Sequence, residues 1–368
     1  MYEVVEIVDQ VEKIQKSHFK IVEFASSQHE IWDDFLEKHP ASNMYQLAGW
    51  RQVLERTFGF TSIYWAALDS ENEIVGVLPL FLMRKILGRK YLISNPFSNF
   101  AGVCTSDKLA REQLLERARE TARREQAQYV ELRQLRNRID DEKLRASIPS
   151  RDSFVTLMLS LEDAPDFVWN QLSSRNRGKI RKAEKSGLKC DFGVKYLSEF
   201  YQIFVRNLRH LGTPPYPLAF FKNVVEVFSE RINIMVLKLE DEVVAAMFLF
   251  QFKDVLAEPW VASLREYNHL YVNNLLYWKA IEYACENRFK TFDFGRSTVA
   301  SGTYNFKEQF GARPIPLYYQ YLLNKAKTIP VVDAHHNQYQ FFINVWKRLP
   351  LFVTNFVGPK IVKYLPEL

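Results

Sequence analysis

The chain has 368 residues, of which 49 are Lys or Arg and 43 are Asp or Glu, so its formal charge is +6. Apolar residues make up 47% of the chain and aromatic residues 14%, which supplies a large core and excludes disorder for most of the chain. The length favours two domains over one, and the basic balance is compatible with anionic partners.

Glycine is scarce, and its spacing excludes several ligand-binding loops. The chain has 13 glycines, about half the usual share. No pair stands at the spacing of G-x-G-x-x-G, of a Walker A loop or of G-x-S-x-G. Dinucleotide-binding folds, P-loop NTPases and ordinary serine hydrolases are therefore not expected.

The N-terminus and the cysteines favour a cytoplasmic protein. Residues 1–20 lack a basic segment followed by an apolar core, so no signal peptide is predicted. Cys104, Cys190 and Cys285 are far apart in the sequence, which is typical of reduced thiols rather than a disulfide framework. No apolar run has the length of a membrane helix, and the seven histidines form no H-E-x-x-H motif, so no metal site is predicted.

Two segments of the chain repeat one pattern, β-β-β-α-β, which suggests a duplication. Each begins with an apolar strand, a short acidic turn and a second strand that is apolar on both faces. The paired strands are Ile63–Leu68 with Ile74–Phe81, and Ile234–Leu239 with Val243–Phe250. A helix and a strand follow a third β-rich run in each segment: Arg111–Gln126 with Tyr129–Leu135, and Asn273–Asn287 with Thr291–Phe294.

This pattern predicts an α+β protein in which a mixed sheet flanked by helices is used twice. We place the boundary in the charged stretch 136–153, which contains Pro149 and Ser150. The predicted parts are an N-terminal extension (1–18), a first domain (19–150), a second domain that carries the site (151–325) and a C-terminal amphipathic tail (326–368).

The segment Ser174–Gly187 is the most basic part of the chain, with six cations and one opposing Glu184. On a helix the cations form two stripes, and Ile180 and Ala183 lie between them to dock the helix on a sheet. The stripes are Arg175, Lys179 and Lys182, and Arg177, Arg181 and Lys185. A solvated face and an anion site for phosphate are both open interpretations.

The segment Thr291–Gly311 carries the second candidate site. We expect Gly295 to end a strand, so that Arg296, Ser297 and Thr298 lie at its carboxyl end, where ligands of open α/β sheets usually bind. Asp293 lies on the strand face opposite Phe292 and Phe294.

A short helix is expected next, capped by Ser301 or Thr303 and ended by Gly311. Lys307 would then stand in the first turn, where the helix dipole opposes a cation. Such a lysine is held either by a ligand or by a salt bridge to Asp293 or Glu308, and both interpretations stay open.

Two further segments are candidates for binding. The proline loop Gly212–Pro217 is expected to be structural or to present Tyr216 as a pocket wall. In the tail, aromatic residues alternate with lysine and arginine from Phe341 onward. This segment either packs on the second domain or makes a peripheral contact with the inner membrane through residues 341–368.

The resemblance to a known family rests on Thr291–Gly311 and its surroundings. The sequences F-D-F-G-R-S-T at 292–298 and S-G-T-Y-N-F-K-E-Q-F-G-A at 301–312 resemble the FemAB family of tandem GNAT-like acyltransferases. The basic segment and the G-T-P-P-Y-P loop are also similar to that family. The most similar subgroup is that of the FemAB-like proteins of PEP-CTERM/exosortase systems, because the tail shares W-K-R-L-P at 346–350 and G-P at 358–359. The resemblance covers about residues 20 to 365.

The resemblance implies two tandem GNAT-like domains and a transferase that moves an aminoacyl or acyl group onto an amine. In the family the F-K pair of Y-x-F-K-x-x-F-G is proposed to lie at the reacting carbonyl, and it falls on Phe306 and Lys307. The implied donor is aminoacyl-tRNA, acyl-CoA or acyl-carrier protein, acting as a co-substrate, with no bound cofactor. This chain lacks the inserted helical pair of the staphylococcal members that use tRNA, and residues 267–272 lack the pyrophosphate-loop glycines of acetyl-CoA-using relatives, so the donor stays open.

The predicted reaction is direct attack of an acceptor amine on an activated carbonyl. The acceptor would be an anionic or lipid-linked cell-envelope precursor of peptidoglycan or exopolysaccharide. A noncatalytic protein that binds such a precursor is the alternative of another class. The predicted catalytic residues are Lys307, Arg296 and Asp293, and the predicted substrate-binding residues are Arg175, Arg177, Arg181, Lys182, Tyr216, Trp260, Ser297, Tyr304 and Phe306.

Overall fold

The computed structural model describes residues 19–85, 88–135, 148–161, 165–330 and 337–365. The predicted N-terminal extension and most of the predicted boundary stretch lie outside these residues. The described chain forms two compact units. The first takes the described residues up to Glu55, Gly59–Arg151 and Tyr318–Ile329, and the second takes Arg56–Phe58, Asp152–Leu317 and the described residues from Pro330 onward.

The first unit is a mixed sheet with helices, in the strand order β1-β2-β3-β4-β6, with β5 paired to β3. The β2–β3 hairpin is antiparallel, and its turn forms because Asp69 accepts hydrogen bonds from the backbone N–H groups of Glu71 and Glu73. The β4–β6 pair is parallel. The strands are β1 (Lys20–Glu23), β2 (Thr61–Leu68), β3 (Ile74–Arg84), β4 (Lys90–Ile93), β5 (Cys104–Thr105) and β6 (Tyr129–Leu135), and the helices are α1 (His29–Lys38), α2 (Gly49–Phe58) and α3 (Lys108–Arg124).

The second unit repeats this arrangement, in the strand order β7-β13-β11-β10-β9-β8. The β9–β10 hairpin is antiparallel and the β11–β13 pair is parallel, as in β2–β3 and β4–β6. The strands are β7 (Ser150–Ser160), β8 (Leu188–Phe192), β9 (Ile232–Leu239), β10 (Glu242–Phe252), β11 (Val255–Ala257), β12 (Val261–Ser263) and β13 (Thr291–Thr298). A last strand, β14 (Arg313–Leu323), begins in the second unit and ends in the first, to which its residues from Tyr318 onward belong. The helices are α4 (Pro165–Gln171), α5 (Ser174–Glu184), α6 (Leu197–Leu211), α7 (Leu218–Val227), α8 (Val272–Glu286), α9 (Gly302–Glu308), α10 (Asn337–Arg348) and α11 (Leu351–Ile361).

Strand β10 is buried on both faces, which explains why its sequence is continuously apolar. Met247 and Leu249 belong to the core that includes α8, whereas Phe248 packs against Phe200 of α6 with ring centroids 4.6 Å apart. Helices therefore cover both faces of the second sheet, and the predicted α+β class with a repeated unit is confirmed. In each repeat four strands, β2–β5 and β9–β12, precede the helix where the pattern predicted three, because a short strand follows the third one.

The C-terminal segment packs within the second unit, on α6. The Arg209 guanidinium, through Nε, donates a hydrogen bond to the carbonyl of Leu349 at 2.6 Å, and both α10 and α11 contact α6. No helix among the described residues is both long enough and apolar enough to cross a bilayer.

Candidate active site

A bulge in β13 positions the predicted site residues. The pairing of β13 with β7 shifts between Asp293 and Arg296, and Gly295 adopts the left-handed φ of 69° that the bulge needs. The strand continues to Thr298, so the expectation that Gly295 ends it is wrong. A bulge lets the chain resume pairing with β7 after one irregular step, and Arg296, Ser297 and Thr298 are part of the strand.

Asp293 fixes this bulge from inside the core. Its side chain is 3% exposed, and its Oδ1 accepts hydrogen bonds from the Gly295 N–H at 2.9 Å and from the Thr156 hydroxyl at 2.6 Å. Burial raises the pKa of Asp293 against the lowering effect of these two donors. The Oδ1 atom of Asp293 is therefore committed to protein donors at the bulge.

The sheet opens beside this bulge. Strands β11 and β13 pair in parallel only up to Ala257 and Asp293, and the Glu258 N–H then donates to the Asp293 carbonyl at 3.0 Å. Pro259 has no N–H with which to extend the ladder, and the next strand, β12, pairs with β10. In the described part of the chain, β13 therefore has no strand partner on this edge beyond Asp293, and β12 does not continue the ladder that β11 forms with β13.

Helix α9 brings Lys307 to this opening. Ser301 caps the helix by accepting a hydrogen bond from the Tyr304 N–H at 3.2 Å, and Gly311 follows with φ of 85°. The helix begins at Gly302, so Lys307 lies in its last turn. The expectation of a first-turn lysine is wrong, and the dipole at the last turn favours a cation instead of opposing it.

Lys307 is buried, with 7% of its surface exposed. Its Nζ donates to the carbonyls of Gly295 at 3.2 Å and Arg296 at 3.3 Å, which are the carbonyls of the β13 bulge. The carboxylate nearest to it among the described residues is that of Glu258, with Nζ and Oε1 3.8 Å apart. The predicted partners Asp293 and Glu308 form no ion pair with it. Two of the three N–H groups of the ammonium are therefore used by the bulge carbonyls, and the Glu258 carboxyl group is the third close partner of Nζ.

Glu258 is the neighbour that sequence reasoning missed. It is 5% exposed, and its Oε1 accepts a hydrogen bond from the Tyr277 hydroxyl at 2.9 Å. Burial raises the pKa of Glu258 to about 8, although Lys307 and Tyr277 act to lower it. Burial likewise lowers the pKa of Lys307, and Glu258 opposes that shift. The site therefore pairs a carboxyl group of raised pKa with an ammonium of lowered pKa, and burial is the main cause of both shifts.

The residues around this pair form an aromatic and partly polar wall. The rings of Phe306 and Tyr277 pack edge to face at 5.3 Å, and the Arg296 guanidinium lies over the Phe154 ring at 4.7 Å. The Ser297 hydroxyl is buried and has no hydrogen-bond partner within the described residues. Tyr304 is half-buried, with its hydroxyl 3.5 Å from the Glu308 carboxylate.

Tyr216 and Trp260 meet on a separate aromatic cluster. Both rings pack against Phe220 and Phe221, at centroid distances between 5.0 and 6.1 Å. Trp260 is 7% exposed and follows Glu258 by two residues, so this cluster adjoins the segment that carries the carboxyl group. Neither ring contacts Lys307.

The basic helix α5 presents only some of its predicted cations to solvent. Its Ser173 cap accepts from the Asn176 N–H at 3.2 Å. Arg177 does not face a ligand, because its Nη1 donates to the carbonyls at the end of α4, the closest being that of Leu172 at 2.7 Å. Arg175 is exposed, and no acidic group pairs with it in the described ranges.

Two other cations of α5 lie over aromatic rings. The Arg181 guanidinium is 5.4 Å from the centre of the Trp169 ring, and the Lys182 ammonium is 5.3 Å from that of Tyr271. Both side chains are exposed. Their stems are thereby ordered while the charged ends stay accessible.

Helix α5 packs through Ile180 and Ala183 on the core that the second sheet shares, and hydrogen bonds also join it to α8 and to the residue that follows α9. The buried Asn176 accepts from the Asn274 amide at 2.8 Å and donates to the Gln309 carbonyl at 3.1 Å. Gln309 follows Lys307 by two residues. The link gives the exposed cations of α5 a fixed position relative to the buried lysine.

Comparisons with known proteins show which family model and which solved structures the chain is similar to. A family model described as an acetyltransferase (GNAT) domain matches residues 172–308, a span that contains α5, Glu258 and Lys307. No curated protein sequence matches the chain.

Several solved structures share the fold at low identity. A crystal structure of FemX has a TM-score of 0.67 at 18% identity, covering 83% of this chain and 98% of that one. L-PGS from Bacillus licheniformis has a TM-score of 0.55 at 13% identity, with 87% and 97% covered. A tandem GNAT protein from the clavulanic acid biosynthesis pathway has a TM-score of 0.55 at 10% identity, with 84% and 100% covered. Residues 172–308 therefore match a GNAT acetyltransferase domain, and the chain has the tandem GNAT fold that FemX and the protein of the clavulanic acid pathway also have.

Proposed function

We propose that the chain is a FemAB-like transferase that moves an aminoacyl or acyl group from an activated donor to an amine of an anionic cell-envelope precursor. The observation that carries this proposal is the buried pair of Lys307 and Glu258 at the opening between β12 and β13, with Nζ and Oε1 3.8 Å apart. A cation and a base of raised pKa, held out of water, are the two groups that amide formation from an activated carbonyl requires.

Glu258 serves as the base in the proposed mechanism. The acceptor amine is an ammonium in water and must lose a proton before its lone pair can attack. The deprotonated Glu258 accepts that proton, and its pKa of about 8 makes it a far better base at neutral pH than an exposed glutamate. The Tyr277 hydroxyl, at 2.9 Å from Oε1, holds the carboxyl group in position.

Lys307 serves through its charge. When the amine attacks the carbonyl carbon, negative charge develops on the carbonyl oxygen. Two N–H groups of Lys307 are held by the Gly295 and Arg296 carbonyls, which fix the ammonium before the reaction, so its charge can stabilise the developing oxyanion without reorganisation. The nitrogen of the tetrahedral adduct carries one proton more than the amide product. Collapse of the adduct re-forms the carbonyl and expels the donor's oxygen or sulfur, which takes up this proton from the nitrogen. No covalent intermediate with the enzyme is needed.

The exposed cations of α5 would bind phosphate groups of the donor or acceptor. Arg175, Arg181 and Lys182 are exposed, and the Asn176 contacts fix their helix relative to α9. Arg296, Ser297, Tyr304 and Phe306 would line the path to the reacting carbonyl, and the unpartnered Ser297 hydroxyl would gain a hydrogen bond from the ligand. Tyr216 and Trp260 would form the more distant aromatic wall.

Two observations each favour a different class of acyl donor. The acetyltransferase family model over residues 172–308 favours a thioester donor, acyl-CoA or acyl-carrier protein. The fold shared with FemX and with a putative lysylphosphatidylglycerol synthetase domain from Agrobacterium fabrum favours an aminoacyl donor such as aminoacyl-tRNA. Both donors carry an activated carbonyl and phosphate groups in one molecule, which suits a site with a buried cation and exposed cations on α5. The acceptor would be a peptidoglycan or exopolysaccharide precursor.

The test is transfer by wild-type protein and by Lys307→Met, measured as the mass-shifted product after incubation with thioester and aminoacyl-tRNA donors and amine acceptors. Methionine keeps the aliphatic length and removes the charge. We expect transfer to slow by about 10² or more, the usual cost of losing an oxyanion donor, while anionic ligand is still bound. Lys290→Met is the matched control, because Lys290 is 77% exposed, and it should leave transfer unchanged. Wild-type rates in Lys307→Met would exclude this role for the lysine.

A further inference from the structure

The C-terminal segment is anchored on one side and exposed on the other. On the anchored side, α10 and α11 contact α6. Gly212, just after α6, approaches Ile343 so closely that a Cβ on the glycine would lie 2.5 Å from the Ile343 side chain, and Gly358 lies equally tightly against Pro215. These contacts fix the rotation of both helices about their axes.

Helix α11 has two distinct faces. Thr354, Gly358 and Val362 recur every four residues and are buried. Phe352, Phe356 and Lys360 also recur every four residues, two positions out of phase, and so lie on the opposite face at about 100° per residue. Phe352 is 75% exposed and Phe356 is 67% exposed.

Helix α10 also exposes large apolar side chains. Phe341 is 65% exposed, Phe342 is 67% exposed and Val345 is 40% exposed. Of the ten large apolar side chains that are exposed among the described residues, these three and the two phenylalanines of α11 make up half. We call this set the C-terminal face: Phe341, Phe342, Val345, Phe352 and Phe356.

The charge next to the C-terminal face has one sign. Between residues 337 and 365 the sequence has four cations, Lys347, Arg348, Lys360 and Lys363, and no Asp or Glu. The Lys360 ammonium lies 3.7 Å from the centre of the Phe356 ring, so a cation and an exposed ring occupy the same place on the surface.

We infer that the C-terminal face docks on the surface of an anionic lipid bilayer. The phenyl rings would enter the boundary between headgroups and acyl chains, while the lysine and arginine side chains reach the lipid phosphates. An aromatic face with cations alone beside it is complementary to such a surface, whereas a protein interface of this size would need carboxylates or polar groups to balance four cations. The inference does not depend on the proposed acyl transfer.

The experiment is flotation of the full-length protein with vesicles of phosphatidylcholine alone and with vesicles in which phosphatidylglycerol replaces one third of it. We expect partitioning onto the phosphatidylglycerol vesicles at low salt and weaker partitioning at high salt. Phe352→Ser combined with Phe356→Ser should lower the partition coefficient at least about tenfold, because two apolar rings no longer enter the bilayer. Both side chains are exposed, so the variant should melt at the wild-type temperature.

Ile31→Ser is the matched control, since Ile31 is a 54% exposed apolar residue on α1, and it should bind vesicles as the wild type does. Lys360→Gln combined with Lys363→Gln should reduce binding to phosphatidylglycerol vesicles and leave the weak binding to phosphatidylcholine unchanged. Equal partitioning of wild type and the phenylalanine variant would overturn the inference. A wild-type protein that ignores vesicles but self-associates through Phe352 and Phe356, as light scattering would report, would assign the face to a second copy instead.

Discussion

Glu258 shows how the surroundings of one side chain set its chemistry. At the end of β11 its backbone N–H pairs with Asp293 and its side chain turns into a buried space beside Tyr277 and Lys307. Removal from water raises the pKa of Glu258 to about 8. At pH 7 most of this carboxyl group is therefore protonated, and the active base form grows as the pH rises.

The pH dependence of transfer follows from the raised pKa of Glu258. Deprotonated Glu258 is the form that accepts the proton, so kcat/KM should rise with pH and level off near pH 8. Above that, loss of the Lys307 proton should lower the rate, because burial lowers the pKa of this lysine. Glu258→Gln keeps the oxygen that accepts from Tyr277 and removes the base, and it should slow transfer by about 10² to 10⁴.

The pH profile of the Glu258→Gln variant serves as the control. A rising limb that persists in Glu258→Gln would belong to the acceptor ammonium, whereas its disappearance would assign the limb to Glu258. Wild-type rates together with the wild-type profile in Glu258→Gln would contradict the assignment of Glu258 as base.

At the level of single residues, the sequence predicts Lys307 but not its partner. Lys307 stands out because a charged residue occurs between Phe306 and Phe310 in a recognisable segment. Glu258 is brought to it by the parallel pairing of β11 with β13, a long-range contact that periodicity does not reveal. The only local signal is an acidic residue before Pro259 and Trp260 in an otherwise apolar run.

Helix α5 has a buried side that packs on the core and an exposed side that carries cations. Its buried residues, Asn176, Ile180 and Ala183, lie against the core, and Arg177 is committed to the end of α4. Arg181 is exposed over Trp169 and remains accessible to an anion. We therefore expect Arg181→Ala to weaken binding of inorganic pyrophosphate about tenfold at low salt, the effect of one charge-assisted hydrogen bond, and to change the melting temperature little.

The salt dependence of this binding distinguishes a site from a merely solvated face. Binding by wild type should weaken as salt rises, and the slope should be shallower in Arg181→Ala. Arg123→Ala in α3 removes the same charge from an exposed helix whose arginine pairs with Glu116, and it should bind as the wild type does. Equal affinity in Arg181→Ala and wild type would return α5 to the solvated-face interpretation.

Elements also show where local reasoning fails. The expected helix around Lys307 is present with its Ser301 cap, but the phase of the lysine within it was predicted wrongly because the helix is only two turns long. The strand end expected at Gly295 is a bulge held by Asp293. A glycine with positive φ marks both a strand end and a bulge, and only the pairing with β7 distinguishes them.

For the whole molecule, the repeated order of strands, helix and strand was predictable because each repeat has a hairpin with an acidic turn and a doubly buried strand. The sequence did not predict where the chain passes from one unit to the other. Residues Tyr318–Ile329 belong to the first unit and those from Pro330 onward to the second, whereas the predicted second domain runs without interruption to 325. The assignment of these late residues to the first unit depends on long-range packing. The packing of the C-terminal helices on α6 also depends on long-range contacts.

The packing of the C-terminal helices leads to a prediction about stability. Gly358 lies against Pro215, and a Cβ at this position would be 3.0 Å from Cγ and 3.2 Å from N of a ring that cannot rotate away. Gly358→Ala should therefore force α11 outward and destabilise the second unit by about 1 to 3 kcal/mol, the usual cost of overpacking. For a unit of this size the melting temperature should fall by several degrees, about 2 to 4 °C per kcal/mol.

Gly178→Ala is the matched control for this substitution. Gly178 lies inside α5, and a Cβ there meets nothing within 4 Å, so alanine should raise stability by about 0.5 to 1 kcal/mol through its higher helix propensity. Differential scanning calorimetry on the full-length variants would show opposite shifts of the transition of the second unit. A Gly358→Ala protein that melts at or above the wild-type temperature would mean that α11 is not held against α6 in solution, and the exposed phenylalanines of the C-terminal face would then lose their fixed orientation.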